Sequence, residues 1–208
     1  MKLYNAPMPA PNPRRVRMFL AEKGRDAAAS VELIDISILE GAHKHEAHIA
    51  RNSLGQLPTL ELDDGRMLSE TVAICRYLES VWPDPPLFGR DAFEVAEIDM
   101  WVRRVEFQVM SPVGMFWRHA HPFTARVVTP QYKEFGQSNR LHYERALNWL
   151  DKEVAERPFI AGEGYTIADI CALTTIDFAD WIGLKFPDNL PNLGRWRADV
   201  SARPSASA

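Results

Sequence analysis

The proline-rich stretch Pro83-Asp84-Pro85-Pro86 constrains the fold most strongly, because it separates two parts of the chain with different periodicities. Before it, short alternating apolar runs typical of strands are interleaved with helical patterns. After it, apolar residues recur only at helical spacing. Proline continues neither a helix nor a central strand, so this stretch is interpreted as a linker. The pattern predicts an α/β domain over residues 1–82, a linker over residues 83–90 and an all-helical domain over residues 91–208.

The first domain is predicted to contain four short strands and three helices. The strand candidates are Lys2–Asn5, Val31–Ile36, Thr59–Leu62 and Arg66–Leu68, with Asp64-Gly65 as a two-residue hairpin turn between the last two. The expected helices run from Asn12-Pro13 to Gly24, loosely across Ala42–Arg51, and onward from Ser69. Asn12 and Ser69 are the expected N-caps. This order favours an open sheet with helices on its faces.

The second domain is predicted to be built from amphipathic helices. Their apolar stripes are Ile98, Trp101, Val102, Val105 and Val109, with an interruption near Ser111-Pro112, and then Tyr143, Leu147, Leu150 and Val154. Thr166 and Asp169 have the spacing of a capping box at the start of a third helix, so we assign them to folding. A last helix is expected from Pro191 to Val200, followed by a frayed tail over residues 201–208.

Composition excludes several classes of protein. The chain has 208 residues and a net charge of -4, which gives no reason to expect a nucleic-acid or anionic-membrane partner. Its two cysteines, Cys75 and Cys171, are far apart, which argues against a disulfide framework and a CxxC redox pair. The N-terminus enters a strand directly, with no signal segment, and no apolar run reaches membrane-spanning length. We therefore expect a cytoplasmic protein.

The segment Gly55-Gln56-Leu57-Pro58-Thr59 precedes the predicted hairpin. A proline at the entrance to a strand is compatible with a cis-proline turn, which would present the backbone of Leu57 to an extended peptide. An ordinary trans proline on an edge strand is the alternative.

Two further groups of residues suggest recognition of a small charged ligand. Glu70 and Thr71, at a helix start, offer a carboxylate for an ammonium group and a hydroxyl for an anion. Glu70 can equally well complement the helix dipole. His43, Lys44, His45 and His48 form a basic cluster, which suits a second carboxylate, a metal ion or simply a solvated face. Their spacing matches no zinc pattern.

The order of elements and the motifs NSLGQLPTLELDDGRMLSETVAICRYLE and FIAGEGYTIADI resemble the soluble glutathione S-transferase superfamily over nearly the whole chain. The resemblance implies a thioredoxin-like domain followed by an all-α helical bundle, a homodimer, and glutathione as co-substrate. It also implies glutathione contacts, which are Leu57 and Pro58 for the cysteinyl backbone, Glu70 and Thr71 for the γ-glutamyl head, His43 and Lys44 for the glycine carboxylate, and Gln56 nearby.

The loop that usually activates the thiol departs from the family pattern. Residues 6–13 contain no Ser, Cys or Tyr, and Tyr4 lies within the strand itself. Asn12 can offer an N–H group to a sulfur, although its role as a helix cap is an equal alternative. The sequence resembles a branch in which side chains of the helical domain hold an activating water. His119 and His121 are the candidates for that role here, with helix termination as the alternative.

Three functions remain open from the sequence. The first is conjugation of glutathione to an apolar electrophile, with Phe107, Met110, Met115, Phe116 and Trp117 as candidate walls of the electrophile site. The second is a glutathione-dependent peroxidase, isomerase or dehalogenase. The third is a non-catalytic glutathione-binding or interaction module, which the unusual first loop favours.

Overall fold

The computed structural model describes residues 1–7 and 9–208, and Met8 lies outside the described residues. The chain divides into two units, Met1–Phe88 with Arg203–Ala208, and Gly89–Ala202. The first unit contains β1 (Lys2–Asn5), α1 (Pro11–Glu22), α2 (Arg25–Ala29), β2 (Glu32–Asp35), α3 (Glu46–Ile49), β3 (Thr59–Glu61), β4 (Met67–Ser69) and α4 (Thr71–Val81). The second contains α5 (Ala92–Arg104), α6 (Ser111–His119), α7 (Lys133–Glu153), α8 (Ile167–Trp181) and α9 (Pro191–Ser201).

The first unit is a four-stranded mixed sheet with the strand order β2-β1-β3-β4. β1 pairs in parallel with β2 and antiparallel with β3, and β3 pairs antiparallel with β4. The crossover from β1 to β2 passes through α1, as a parallel pair requires. The buried side chains of α1, which include Val16, Phe19 and Leu20, and those of α4, which include Ile74 and Leu78, supply its apolar core. The thioredoxin-like α/β fold expected from the sequence is confirmed.

The hairpin between β3 and β4 is longer than the two-residue turn that the sequence suggested. The backbone N–H of Leu62 donates to the carbonyl of Arg66, and that of Gly65 donates to Leu62, which leaves a three-residue loop. Gly65 has a φ of 85°, the left-handed conformation that such loops require. Asp64-Gly65 therefore identified the turn correctly but not its length.

Two helix starts predicted in this unit are shifted, that of α4 by one residue towards the C-terminus and that of α1 by two residues towards the N-terminus. Ser69 pairs with Thr59 in the sheet, so α4 begins only after the chain leaves β4, with Glu70 as its N-cap. α1 begins at Pro11 with Ala10 as its N-cap, so Asn12 lies inside the first turn and does not cap the helix. Pro11 and Pro13 have no backbone N–H, which leaves few donors that need a cap.

The segment 201–208 is not the frayed tail that the sequence suggested. It ends in a 3₁₀ turn, Pro204–Ser207, that packs against α1 within the first unit. The Arg203 guanidinium donates to both oxygens of Glu22, at 2.8 and 2.7 Å, and Arg14 donates to the carbonyl of Ala206 at 2.7 Å. Burial raises the pKa of Glu22, but the hydrogen bonds from Arg203 and Ser205 outweigh burial and hold that pKa below its usual value. The ion pair and these hydrogen bonds hold residues 203–207 against α1. Because these contacts involve no apolar pattern, the sequence did not predict them.

The second unit is all-helical, as predicted. Between α5 and α6 the chain continues as a π-helical segment, Val105–Met110, at the place where the sequence suggested an interruption. Pro112 lacks the N–H that an unbroken α-helix would use, and the wider turn accommodates that loss. Within the described residues, no helix is long and apolar enough to cross a membrane.

The start of α8 forms the capping box that the sequence predicted. Thr166 Oγ1 accepts from the N–H of Ala168, and Asp169 accepts from the N–H of Thr166 at 2.9 Å. Asp169 is fully buried and also accepts from the N–H of Ile160 and from Trp196 Nε1, at 2.9 and 2.8 Å. This carboxyl joins the preceding loop, α8 and α9, so its role is structural.

Candidate functional site

The sheet brings most of the candidate ligand-binding residues to one edge. Tyr4 near the end of β1 pairs with Thr59 at the start of β3, which pairs with Ser69 at the end of β4. Because these strands alternate in direction, the loop after β1, the turn before β3 and the start of α4 all lie at the same end of the strands. This end of the sheet is the edge referred to below. Leu57–Pro58 and Glu70–Thr71 are therefore neighbours in space.

The turn before β3 has the cis conformation, one of the two alternatives that its residues left open and the one that the family resemblance implied. The Leu57–Pro58 peptide bond is cis. The Leu57 side chain packs with Tyr4 and Ala6, and Ala10 packs against the same cluster. The turn therefore rests on the loop that follows β1.

The start of α4 is open and its first residues face different environments. Glu70 is exposed and has a φ of 68°, a conformation that is uncommon for a residue with a side chain. Within the described residues no side chain caps this helix end. Thr71 is buried, and its Oγ1 accepts a hydrogen bond of 2.7 Å from Arg15. The first N–H groups of the helix and an exposed carboxylate thus lie beside a buried cation.

Arg15 is a residue of this edge that the sequence analysis missed. Its side chain is 1% exposed, and besides Thr71 it donates to Asn12 Oδ1 at 3.3 Å. It links the first turn of α1 to the first turn of α4 and adds positive charge beneath both. The signal was present in the sequence, because Arg15 lies three and four residues before the buried Met18 and Phe19 and therefore on the buried face of α1.

Tyr4 does not point a free hydroxyl towards this edge. Its hydroxyl donates to Glu61 at 2.5 Å, and its ring lies 4.5 Å beneath the Arg51 guanidinium. Burial, reinforced by the bond to Glu61, raises the pKa of Tyr4. A phenol with a raised pKa that is held by a carboxylate is a poor group for activating a thiol.

The loop that contains His43 and Lys44 is joined to the proline turn through Gly55. The Lys44 ammonium donates to the carbonyl of Leu54 at 2.8 Å. A Cβ atom on Gly55 would lie 2.5 Å from the Ile49 side chain and 2.9 Å from the carbonyl oxygen of His43, so only glycine fits. Burial, with the charge of Lys44, lowers the pKa of His43. Exposed Gln56 completes this stretch.

The metal interpretation of the histidine cluster finds no support among the described residues, since no group of three or more His, Cys, Asp or Glu side chains is placed to hold an ion. His48 separates from the rest of the cluster because it is buried, whereas Lys44 and His45 are exposed.

In the second unit, His119 and His121 end α6 in a tightly ordered turn. Thr124 Oγ1 donates to the carbonyl of Trp117 at 2.6 Å, and Gln131 Nε2 donates to that of His121 at 3.1 Å. A Cβ atom on Gly136 of α7 would lie 2.6 Å from the backbone nitrogen of Ala120, so glycine allows α7 to approach this turn closely.

The hydrogen bonds of the two histidines define which ring nitrogen carries the proton. His121 Nδ1 accepts from the N–H of Phe123 at 3.2 Å, and His119 Nδ1 accepts from that of Tyr132 at 3.4 Å. In each neutral ring the proton is therefore on Nε2, which can donate to a water or an anion. Burial lowers the pKa of His121, which favours the neutral form.

Aromatic residues surround this turn. Trp117 contacts the rings of His121, Phe123, Phe178 and Trp181, with centroids 4.6 to 5.9 Å apart. Of the other candidate wall residues, Phe107 is largely exposed on the π-helical segment, and Met110, Met115 and Phe116 are half-buried. Trp117 is thus surrounded by aromatic rings, whereas the Phe107 ring is largely open to solvent.

Comparison with known proteins identifies the family. Residues 10–81 match the glutathione S-transferase N-terminal domain, and residues 117–204 match the glutathione S-transferase C-terminal domain. The chain is 34% identical over 206 residues to glutathione S-transferase 2 of Saccharomyces cerevisiae, covering 99% of this chain and 87% of that protein. The chain belongs to the glutathione S-transferase family.

Solved structures of glutathione S-transferases agree with this assignment. The crystal structure of Gtt2 from S. cerevisiae has a TM-score of 0.93 and 33% identity, covering 100% of this chain and 99% of that one. A glutathione S-transferase domain-containing protein from Marinobacter aquaeolei has a TM-score of 0.93 and 35% identity, with 99% of each chain covered. Glutathione is the co-substrate of the glutathione S-transferase family, and the N-terminal family domain covers the edge described above.

Proposed function

We propose that this protein is a glutathione transferase that joins the glutathione thiolate to an electrophilic, largely apolar small molecule. The observation that carries the proposal is the convergence of the cis-proline turn, the open start of α4 and buried Arg15 at one edge of the sheet. Each part meets a different need of one tripeptide, namely a backbone edge, an ammonium partner and an anion site.

The head group of glutathione is assigned to the start of α4. Its ammonium binds Glu70, and its carboxylate binds Thr71 and the first N–H groups of the helix. Arg15 lies behind Thr71 and adds positive charge to this anion site. The cysteinyl backbone pairs with Leu57 beside Pro58. His43 and Lys44 hold the glycine carboxylate, with Gln56 as a polar neighbour.

Thiol activation is assigned to Asn12, His119 and His121. A free thiol with a pKa of about 8.5 needs only about 2.7 kcal/mol of preferential anion stabilisation to lower that pKa by about two units. Because the histidines carry their protons on Nε2, they act as hydrogen-bond donors to an activating water. They do not accept the thiol proton in this tautomer.

The decisive experiment measures glutathione binding by calorimetry and turnover with an electron-poor aryl chloride. We expect binding and turnover by the parent protein. His121→Ala should lower kcat about tenfold and raise the pKa of bound glutathione, whereas His121→Gln should retain most activity, because a glutamine amide places a donor near Nε2. Glutathione affinity should stay within about twofold in both. Failure of the parent protein to bind glutathione would refute the proposal.

A non-catalytic glutathione-binding module is the second candidate, and the absence of Ser, Cys or Tyr from residues 6–13 favours it. Binding without turnover of any electrophile would establish it. Turnover of an organic hydroperoxide in place of the aryl chloride would instead indicate a peroxidase. Glutathione-dependent isomerisation or dehalogenation of a substrate would indicate an isomerase or a dehalogenase.

The cellular setting is part of the same proposal. We assign the protein to detoxification in the cytoplasm and to a twofold homodimer. Sedimentation should then give roughly twice the chain mass of 23.6 kDa, and a monomer at micromolar concentration would contradict the dimer.

A further inference from the structure

His48 is a buried histidine that none of the roles above uses. It is 2% exposed and lies on α3, and its ring packs edge-on against Tyr4 with centroids 6.1 Å apart. Its Nε2 lies 3.0 Å from the carbonyl oxygen of Gln56. Since that oxygen can only accept, Nε2 must carry the proton and donate it. His48 Nδ1 is buried and makes no hydrogen bond within residues 1–7 and 9–208.

The Gln56 carbonyl oxygen accepts hydrogen bonds from more than one side chain. Asn52 Nδ2 also donates to it, at 3.1 Å, and Thr59 Oγ1 lies at 3.4 Å. A carbonyl oxygen has two lone pairs, so the two shorter bonds from His48 and Asn52 occupy them. Both donors come from the chain just before the proline turn.

The peptide group that contains this carbonyl also contains the N–H of Leu57. A peptide unit is planar, and in a trans unit the C=O and N–H point in opposite directions. Donors that fix the carbonyl of Gln56 on the protein side therefore direct the Leu57 N–H to the other side. Hydrogen bonds to the carbonyl also polarise the unit and strengthen its N–H as a donor.

We propose that His48 is a positioning residue for glutathione: through the Gln56 carbonyl it aims the Leu57 N–H at the carbonyl of the cysteinyl residue. This inference rests on the proposed function, because it deepens the contact assigned there to Leu57. His48 touches neither glutathione nor the electrophile. The histidine supplies a donor at this buried place, although its Nδ1 makes no hydrogen bond to the described protein atoms.

The test compares two replacements of similar length that differ in the donor. His48→Gln keeps an amide N–H near the position of Nε2, whereas His48→Met keeps the volume and removes the donor. We expect His48→Met to weaken glutathione binding about three- to tenfold, as for the loss of one hydrogen bond, and His48→Gln to stay within about twofold of the parent protein. In kinetics the KM for glutathione should rise, with kcat and the KM for the aryl chloride unchanged.

Stability separates positioning from simple structural support. Glutamine buries an amide oxygen at this place, whereas methionine buries no nitrogen or oxygen atom. The melting temperature of His48→Met should therefore equal or exceed that of His48→Gln, so affinity and stability move in different directions. Exposed His45, changed to Met, is the matched control and should alter neither. Equal glutathione affinity in the Gln and Met variants would overturn the inference. Failure of the parent protein to bind would refute the proposed function instead.

Discussion

Two helix starts in this protein look similar in sequence and differ in how their N–H groups are used. α8 begins with Thr166 and Asp169, which are buried and satisfy the first turn with their own side chains. α4 begins with exposed Glu70, and among the described residues no side chain caps it. Both starts have an acidic and a hydroxyl residue, but of the two only α4 has first-turn N–H groups that no side chain of the described residues caps and that can bind a ligand.

The difference shows that the location of a carboxylate, not its presence, indicates its role. Asp169 accepts from three N–H groups and from the Thr166 hydroxyl, so its oxygens have no capacity left for a ligand. Glu70 adopts a φ of 68° that its side chain disfavours, and it makes no capping bond to its own helix within the described residues. Such backbone conformations are retained at functional sites, since folding alone would favour glycine there.

The largest expected effect comes from breaking the closed helix start. Asp169→Ala leaves the N–H groups of Ile160 and Thr166 and the indole N–H of Trp196 without their buried acceptor. We expect a loss of about 3 kcal/mol or more in the free energy of unfolding, measured by urea denaturation. Thr166→Ala, which removes only the cap hydroxyl, should cost about 1 kcal/mol. A loss below 1 kcal/mol for Asp169→Ala would contradict its structural role.

The open helix start should respond in the opposite sense. Glu70→Gly removes the carboxylate and relieves the positive φ, so the free energy of unfolding should stay the same or rise by up to about 1 kcal/mol. Glutathione affinity should fall about tenfold or more, because the ligand ammonium loses its partner. Glu70→Gln controls for charge alone and should give most of the affinity loss without the gain in stability. Parental affinity in Glu70→Gly would remove Glu70 from the site.

Local pattern predicted most elements of the fold, and the errors occur where pairing or long-range contacts decide. Alternation and turn residues located the four strands of the described residues, but Ser69 was predicted to be a helix N-cap because its pairing with Thr59 is not a local property. α2 was missed because a five-residue helix is too short to show a period. The docked tail was missed because Arg203 binds Glu22, far away in sequence.

The candidate site divides in the same way. The short motif before β3 left cis and trans proline open, and the family resemblance favoured the cis bond that the structure has. Glu70 and Thr71 were candidates from a short motif at a helix start. Arg15 and His48 became candidates through burial and through partners on other segments, which only the folded chain reveals. Their sequence signal is weak, namely a polar residue at a spacing that belongs to a buried helix face.

The smallest expected effect concerns a third helix start, that of α1. Asn12 lies inside its first turn and accepts from Arg15, so it is not the cap that its sequence suggested. Asn12→Ala should therefore change the free energy of unfolding by less than the roughly 1 kcal/mol typical of a lost cap. If the Asn12 amide stabilises the thiolate, the pKa of bound glutathione should rise by about half a unit in this variant. The thiolate absorbance, titrated against pH, measures that shift.

Asn12→Asp is the matched control, because a negative charge at the same place should raise the thiol pKa further. An unchanged thiol pKa in both variants would leave thiol activation to the histidines. The start of α1 would then resemble that of α8, in that its side chains would stabilise the fold and would not act on glutathione.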